Sequence, residues 1–485
     1  MKVFFVNPPF KAQYGKFSRE SRSPAIGHSG VLYYPLWLIY SAAVVEKEGF
    51  GIEFLDAPAK RMDEEASFNY IDQRAEGTRL FVIDTSTPSI YSDVTFAGKI
   101  KDRYPQSFIL LVGTHPSSTA EETMELDSRI DGIARKEYDY IVKNLAQAIE
   151  KNSTLENIEG LTYRRNNEII QNPDAEYIHN LDEIPFAAEF IKKHLDIMDY
   201  FFPAASYPSI QIFTGRGCPA RCTFCVYPQT LHGHEYRLRS AENVINEMKY
   251  IADNFPTVKE IVIEDDTFTV NKKRVIEMCN LIIQNDLHKR LKWLCNARVN
   301  LDYETMKLMK QAGCHLIIPG IESVNETILN NIKKGITVKH IEEYMANAKK
   351  AGLMVHACYM VGNKGETRET MNETLKASLR FKTDTVQFFP LVPYPGTEAY
   401  LWAKTNGYIN GRYDEYCKED GTINCVINLP DVSAAELVSF CAYARKKYYL
   451  RLWYIFHRLW KGLFDFEDFK RSIKAFKKLS QSIFK

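Results

Sequence analysis

No cysteine occurs in the first 217 residues of this 485-residue chain, and no run of about twenty apolar residues occurs anywhere. The second absence leaves no segment able to cross a bilayer as a helix; the most apolar candidate, 31–45, is too short and carries Pro35. No secretory leader is expected either, because Asn7-Pro8-Pro9 ends the apolar opening MKVFFVNPPF too soon. Charge of one sign is lacking: 62 Lys and Arg face 61 Asp and Glu, a net charge of +1. Phosphate neutralisation needs a cationic surplus, so no nucleic-acid partner is expected. Repeats and low-complexity tracts are absent. What remains, 45% apolar and 25% charged residues, is the composition of a soluble globular protein of two or three domains. All ten cysteines lie from Cys218 onward, three of them within 218–225. Such crowding points to metal or catalysis in a reducing cytoplasm and not to a disulfide framework.

Residues 1–150 alternate short apolar runs with helical periodicity. Strands are predicted at 3–6, 52–55, 80–83, 108–112 and 132–134, and a helix at 36–48 ending on Gly49. This pattern implies a doubly wound parallel sheet of Rossmann type, with ligands beyond the carboxyl ends of the strands. Residues 151–204 read as a connector holding a hairpin around Asn166-Asn167. From 205 to 400 a second alternation predicts strands at 210–213, 260–263, 292–295, 315–318, 355–361 and 385–389. Six βα units make a partial barrel with its site at the carboxyl ends of the strands. Residues 401–485 read as a C-terminal helical region, basic and aromatic.

The densest chemical signal is Gly215-Arg216-Gly217-Cys218-Pro219-Ala220-Arg221-Cys222-Thr223-Phe224-Cys225, directly after the first strand of the second alternation. Three thiolates at these spacings wrap one loop around three irons of a four-iron cluster and leave the fourth iron open to a small chelating molecule. A structural zinc is the alternative, with His232 or His234 as the further ligand. An electron carrier would supply four thiolates. The other cysteines, Cys279, Cys295, Cys314, Cys358, Cys417, Cys425 and Cys441, read as buried free thiols.

The Cys-x-x-x-Cys-x-Phe-Cys pattern at the end of a first barrel strand resembles the radical S-adenosylmethionine (SAM) superfamily, over about residues 205–400. The resemblance implies a [4Fe-4S] cluster on Cys218, Cys222 and Cys225 that reduces SAM and releases a 5′-deoxyadenosyl radical. It places Asp265 and Asp266 against the methionine ammonium, and Asn296 and Arg298 against the carboxylate or ribose. Glu322 and Ser323 end the fourth strand, Gly362 follows the fifth, and Pro395 follows the sixth, near adenine. Gly362-Asn363-Lys364-Gly365-Glu366-Thr367 departs from the family's Gly-Leu-Pro-Gly-Glu-Thr.

The first domain resembles the cobalamin-binding domain found before such barrels, with Asn7, Pro8, Tyr34, Gly113, Thr114 and His115 at the implied cofactor loops. The Asp-x-His-x-x-Gly pattern that supplies an axial His is absent, so cobalamin without a protein His on cobalt is implied. A Rossmann-like fold without that cofactor, or a cobalamin-dependent regulator, is the alternative. Residues 134–139 and 240–244 resemble the branch holding the oxygen-independent magnesium-protoporphyrin cyclase and a hopanoid side-chain enzyme. Methylation of an unactivated carbon is therefore expected, with radical cyclisation, ring contraction or oxidation as the alternative. The implied partners are a small-molecule or lipid-like substrate and a reductant such as ferredoxin or flavodoxin. The tail's composition adds peripheral contact with the inner membrane face of a cytoplasmic protein.

Overall fold

The computed structural model describes residues 1–27, 30–409 and 411–464. Seven strands build the first sheet: β1 (Lys2–Asn7), β2 (Gly51–Asp56), β3 (Thr78–Thr85), β4 (Phe108–Gly113), β5 (Gly132–Ala134), β6 (Leu161–Arg165) and β7 (Glu168–Gln171). Their order is β2-β1-β3-β4-β5-β6-β7. The first five run parallel and the last two antiparallel. The hairpin expected in the connector is thus the antiparallel edge of the first sheet, which extends to residue 171.

Alternation along the strands explains the double winding. Phe4, Val6, Phe81, Ile83, Ile109 and Leu111 face one core, with the helix α2 (Ile90–Arg103). Val3, Phe5, Leu80, Val82, Leu110 and Val112 face the other, with α1 (Leu36–Lys47) and α3 (Asp139–Lys151). Residues 36–45 of α1 are all buried. This helix has no acid in its first turn; Glu20, on the preceding loop, caps it instead, accepting the N–H of Trp37 at 2.7 Å and of Leu38 at 3.0 Å.

The second sheet is a six-stranded parallel partial barrel in sequence order: β8 (Ser209–Ile212), β9 (Glu260–Ile263), β10 (Lys292–Ala297), β11 (Cys314–Glu322), β12 (Met354–Val361) and β13 (Thr385–Pro390). Helices α4 (Ala241–Asn254), α5 (Lys272–Gln284), α6 (Tyr303–Gln311), α7 (Val338–Ala351) and α8 (Arg368–Phe381) cover its outside. Val262, Leu294 and Leu316 lie in register across β9, β10 and β11 and pack on Ala205, filling the lower interior. Two residues further along the strands the same face becomes polar, with Glu264 and Asn296.

The two domains share one core, and buried ion pairs pin the seam. Arg216 meets Asp139 at 2.7 and 3.1 Å, and Arg237 meets Glu137 at 2.7 Å through both nitrogens. Trp37 stacks on Phe213 and packs at a tilt against His232, each at 3.9 Å. Beyond β13 the chain is not purely helical. Residues 408–428 run back to the first domain, where the Tyr413 ring meets His115 at 4.6 Å and Ile26 N–H donates to Gly421 O at 2.7 Å. Two helices, α9 (Ala434–Tyr449) and α10 (Leu452–Phe464), follow; the end of the basic tail lies outside the described residues.

Candidate active site

The cysteine loop is shaped by backbone contacts. Gly217 has a φ of +85°, and a Cβ there would lie 2.0 Å from Glu235 O, so only glycine fits. Cys218 N–H donates to Gly233 O at 3.3 Å, and the Gln229 amide donates to the carbonyls of Cys222, Thr223 and Cys225 at 3.3, 3.2 and 2.8 Å. His234 spends Nδ1 on the carbonyls of Cys218 and Ala220, both at 3.0 Å, which leaves it bracing the loop. His232 is buried against Trp37. The three cysteines are free thiols, and among the described residues no three His, Cys, Asp or Glu side chains converge as a single metal ion requires. Thiolates on a cubane are held apart by the cluster itself, so the donor set fits a cluster better than zinc. Burial pushes the Cys218 thiol up to about 11 and the Cys225 thiol upward as well. A metal centre bound by them would supply the positive charge that keeps them ionised.

The acidic triplet after β9 divides into three roles. Asp265 turns into the protein, where its carboxylate accepts Thr214 N–H and Oγ1 at 2.6 Å each and the Tyr236 hydroxyl at 3.2 Å. Glu264 accepts the Gln211 amide at 3.0 Å and the Asn296 amide at 3.1 Å. Asp266 alone keeps a buried oxygen, Oδ2, without a hydrogen-bond partner. His232 Nδ1 stands 3.5 Å from that oxygen, itself unpartnered, and Arg22 lies 3.9 Å from Oδ1. A buried carboxylate oxygen beside the cysteines that accepts no hydrogen bond is the acceptor an ammonium group needs.

Arg298 donates to Lys334 O and takes its backbone bond to Thr269 Oγ1 at 2.8 Å. Glu322, in the left-handed region at φ +65°, pairs with Lys334 Nζ at 2.8 Å. Ser323 is buried on Thr374 at 3.3 Å, and Gly362 lacks room for a Cβ, which would lie 2.8 Å from Leu437. Pro395 is buried in a turn whose next residue, Gly396, would carry a Cβ 2.1 Å from Ser118 Oγ of the first domain. Sequence reasoning missed Lys334 and Arg22. Both belong to stretches that read as ordinary solvated charge, and only folding brings them to the barrel mouth.

At the first domain's strand ends, Asn7 donates to Asp56 at 3.0 Å, while Arg19 donates to Asn7 Oδ1 at 2.7 Å and Pro8 O at 2.5 Å. Arg19 is itself buried against Asp93. Gly113, at φ +121°, would place a Cβ 2.3 Å from Thr85 O. Thr114 opens the short helix Thr114–Ser118. His115 is buried with Nδ1 on Thr87 at 3.2 Å and Nε2 unpartnered, and burial lowers its pKa to about 3. Asp84 Oδ2 and the Tyr138 hydroxyl are also buried without partners. Three orphaned polar atoms near these strand ends fit a ligand edged with amides, as a corrin is. Tyr34 is used differently: its hydroxyl donates to Ser209 O at 3.1 Å, its N–H to Gln211 at 2.8 Å, and its ring stacks on Tyr200 at 3.9 Å. It joins the first domain to β8.

Residues 212–377 match the model of the radical SAM superfamily. A methyltransferase of Pyrococcus horikoshii, itself uncharacterised, is 31% identical over 481 residues, covering 98% of each chain. The chain belongs to the same family as this protein, with a radical SAM domain at residues 212–377. The anaerobic magnesium-protoporphyrin IX monomethyl ester cyclase of Cereibacter sphaeroides is 24% identical, covering 95% of this chain and 72% of that one. The fold is that of a radical SAM methyltransferase from Kitasatospora setae, solved with tryptophan substrate and a SAM analogue. The TM-score is 0.66 at 18% identity, over 87% of this chain and 84% of that one.

Proposed function

We propose that this radical SAM enzyme uses a [4Fe-4S] cluster, SAM and cobalamin to methylate an unactivated carbon of a small, lipid-like metabolite. The cluster supplies the electron that splits SAM into methionine and a 5′-deoxyadenosyl radical, and the corrinoid supplies a methyl group to a carbon radical. Cys218, Cys222 and Cys225 hold the cluster at the end of β8. Asp266 accepts the methionine ammonium, and Arg298 and Lys334 set positive charge where its carboxylate lies. Asn296 and Glu264 hold each other and shape the floor. At the first domain's strand ends, His115 and Asp84 hydrogen-bond the amide rim. The His115 ring is packed edge-on against Tyr413, and its free Nε2 would serve a bound corrinoid as a hydrogen-bonding group.

The observation that carries this reading is the buried Asp266 Oδ2, which accepts no hydrogen bond, beside a loop of three free cysteines. Anaerobically reconstituted protein with dithionite should convert SAM to 5′-deoxyadenosine, and protein with none of this activity despite a full cluster would overturn the reading. The 24% identity to a cyclase favours a second reading, cyclisation without methyl transfer. S-adenosylhomocysteine formed alongside 5′-deoxyadenosine during turnover marks methylation; 5′-deoxyadenosine alone marks cyclisation. Flavodoxin or ferredoxin is the proposed source of electrons in the cell.

A further inference from the structure

The terminal helix α10 has two unlike sides. One is docked: the Tyr454 hydroxyl donates to Asp384 O at 3.0 Å, and the Tyr454 ring packs edge-on against Tyr448 and Tyr449 at 5.5 and 5.1 Å. The other is bare, with Leu452 74% exposed, Phe456 66%, Leu459 49% and Trp453 37%. Steps of three and four residues put Leu452, Phe456 and Leu459 in one stripe. Large apolar side chains in a continuous exposed stripe mark a surface that meets something.

The charge around the stripe has one sign. Residues 445–464 contain six Lys and Arg and no acid. Lys382 Nζ stands 5.1 Å over the Trp453 ring and Arg451 lies 5.6 Å from it, so cations rim the apolar face. From 445 to 485 twelve basic residues face three acidic ones, in a chain whose total is only +1. The rest of the molecule is therefore net negative, and the positive charge is concentrated here. A second copy is a poor occupant, because self-association would press two cationic rims together. No helix among the described residues is long and apolar enough to cross a membrane, so α10 would lie along a surface.

We propose that this side of α10 docks on an anionic lipid bilayer, with Leu452, Phe456 and Leu459 entering the headgroup–acyl boundary and the flanking Lys and Arg facing lipid phosphates. This docking does not depend on which reaction the barrel performs. The test is sedimentation of the full chain with vesicles of phosphatidylcholine alone or mixed with phosphatidylglycerol. Binding to the anionic vesicles should be at least about tenfold tighter and should weaken in high salt. The exposed triple variant L452S/F456S/L459S and the charge variant K446E/K447E should both lose that preference while keeping the wild-type melting temperature. Equal binding to the two vesicle types, or a triple variant that binds as well as wild type, would overturn the proposal. So would a wild-type dimer in light scattering that the triple variant converts to monomer, which would make a second copy the occupant.

Discussion

Replacing Asp266 with Asn removes charge from a carboxylate whose Oδ2 accepts no hydrogen bond from the protein, whereas the same change at Asp265 disturbs three internal hydrogen bonds. Asp266→Asn should leave the cluster and the melting temperature intact and weaken SAM binding by about ten- to a hundredfold, the loss of one charge-assisted bond of roughly 1.5–3 kcal/mol. Asp265→Asn should do the reverse, lowering stability by about 1–3 kcal/mol. Calorimetric titration with SAM beside thermal unfolding separates the two. Glu366 gives a pH signature. Burial lifts its carboxyl to about 7, against an ordinary value of 4.5. The folded state therefore holds this proton more tightly than the unfolded state. That stability is full below about pH 4.5 and is lost as pH rises through about 7. Denaturant midpoints followed across this range should fall with a slope of up to roughly 1.4 kcal/mol per pH unit from this group, and Glu366→Gln should flatten that part of the curve.

At the scale of elements, the cysteine loop depends on one backbone conformation. Gly217→Ala combines a left-handed φ of +85° with a Cβ against Glu235 O, a strain that the loop can relieve only by moving Cys218. Iron content and the cluster's visible absorbance should fall to a small fraction of wild type, with the far-ultraviolet circular dichroism unchanged. The spacing of this loop, and its place after a strand, were legible because both are local. Which of two adjacent aspartates faces the ligand was not, since Thr214 and Tyr236, which capture Asp265, come from other parts of the chain. Lys334 escaped sequence reading for the same reason: its pairing with Glu322 exists only once β11 and the turn after it are folded.

The whole molecule should unfold as one unit, because a single apolar core runs from Val3 and Phe5 through Trp37 to Ile210, Ile261 and Tyr359. Glu137 and Arg237 pin that seam in full burial. Glu137→Ala strands the arginine and should cost about 3–5 kcal/mol, whereas the double change Glu137→Ala with Arg237→Met should recover much of the loss. Differential scanning calorimetry should show one transition in all three proteins, at a lower temperature in the single variant.

Local order was decided within the sequence. Apolar alternation and helical periodicity placed every barrel strand, because burial of a strand's faces is written residue by residue. The cysteine spacing defined a cluster loop, because three ligands on one short segment need no distant partner. Tertiary structure alone decided what joins the domains and what is left free for ligands. Tyr34, read as part of a cofactor loop, and residues 134–139 make contacts at the seam with the barrel. The hairpin read as connector completes the first sheet. The segment after β13, read as helical, first returns to lie against His115. In each case the outcome rests on a partner distant in the chain, about thirty residues away for the hairpin and more than seventy for the others. A buried polar group is satisfied by whichever partner the fold delivers, and local sequence carries no record of that partner.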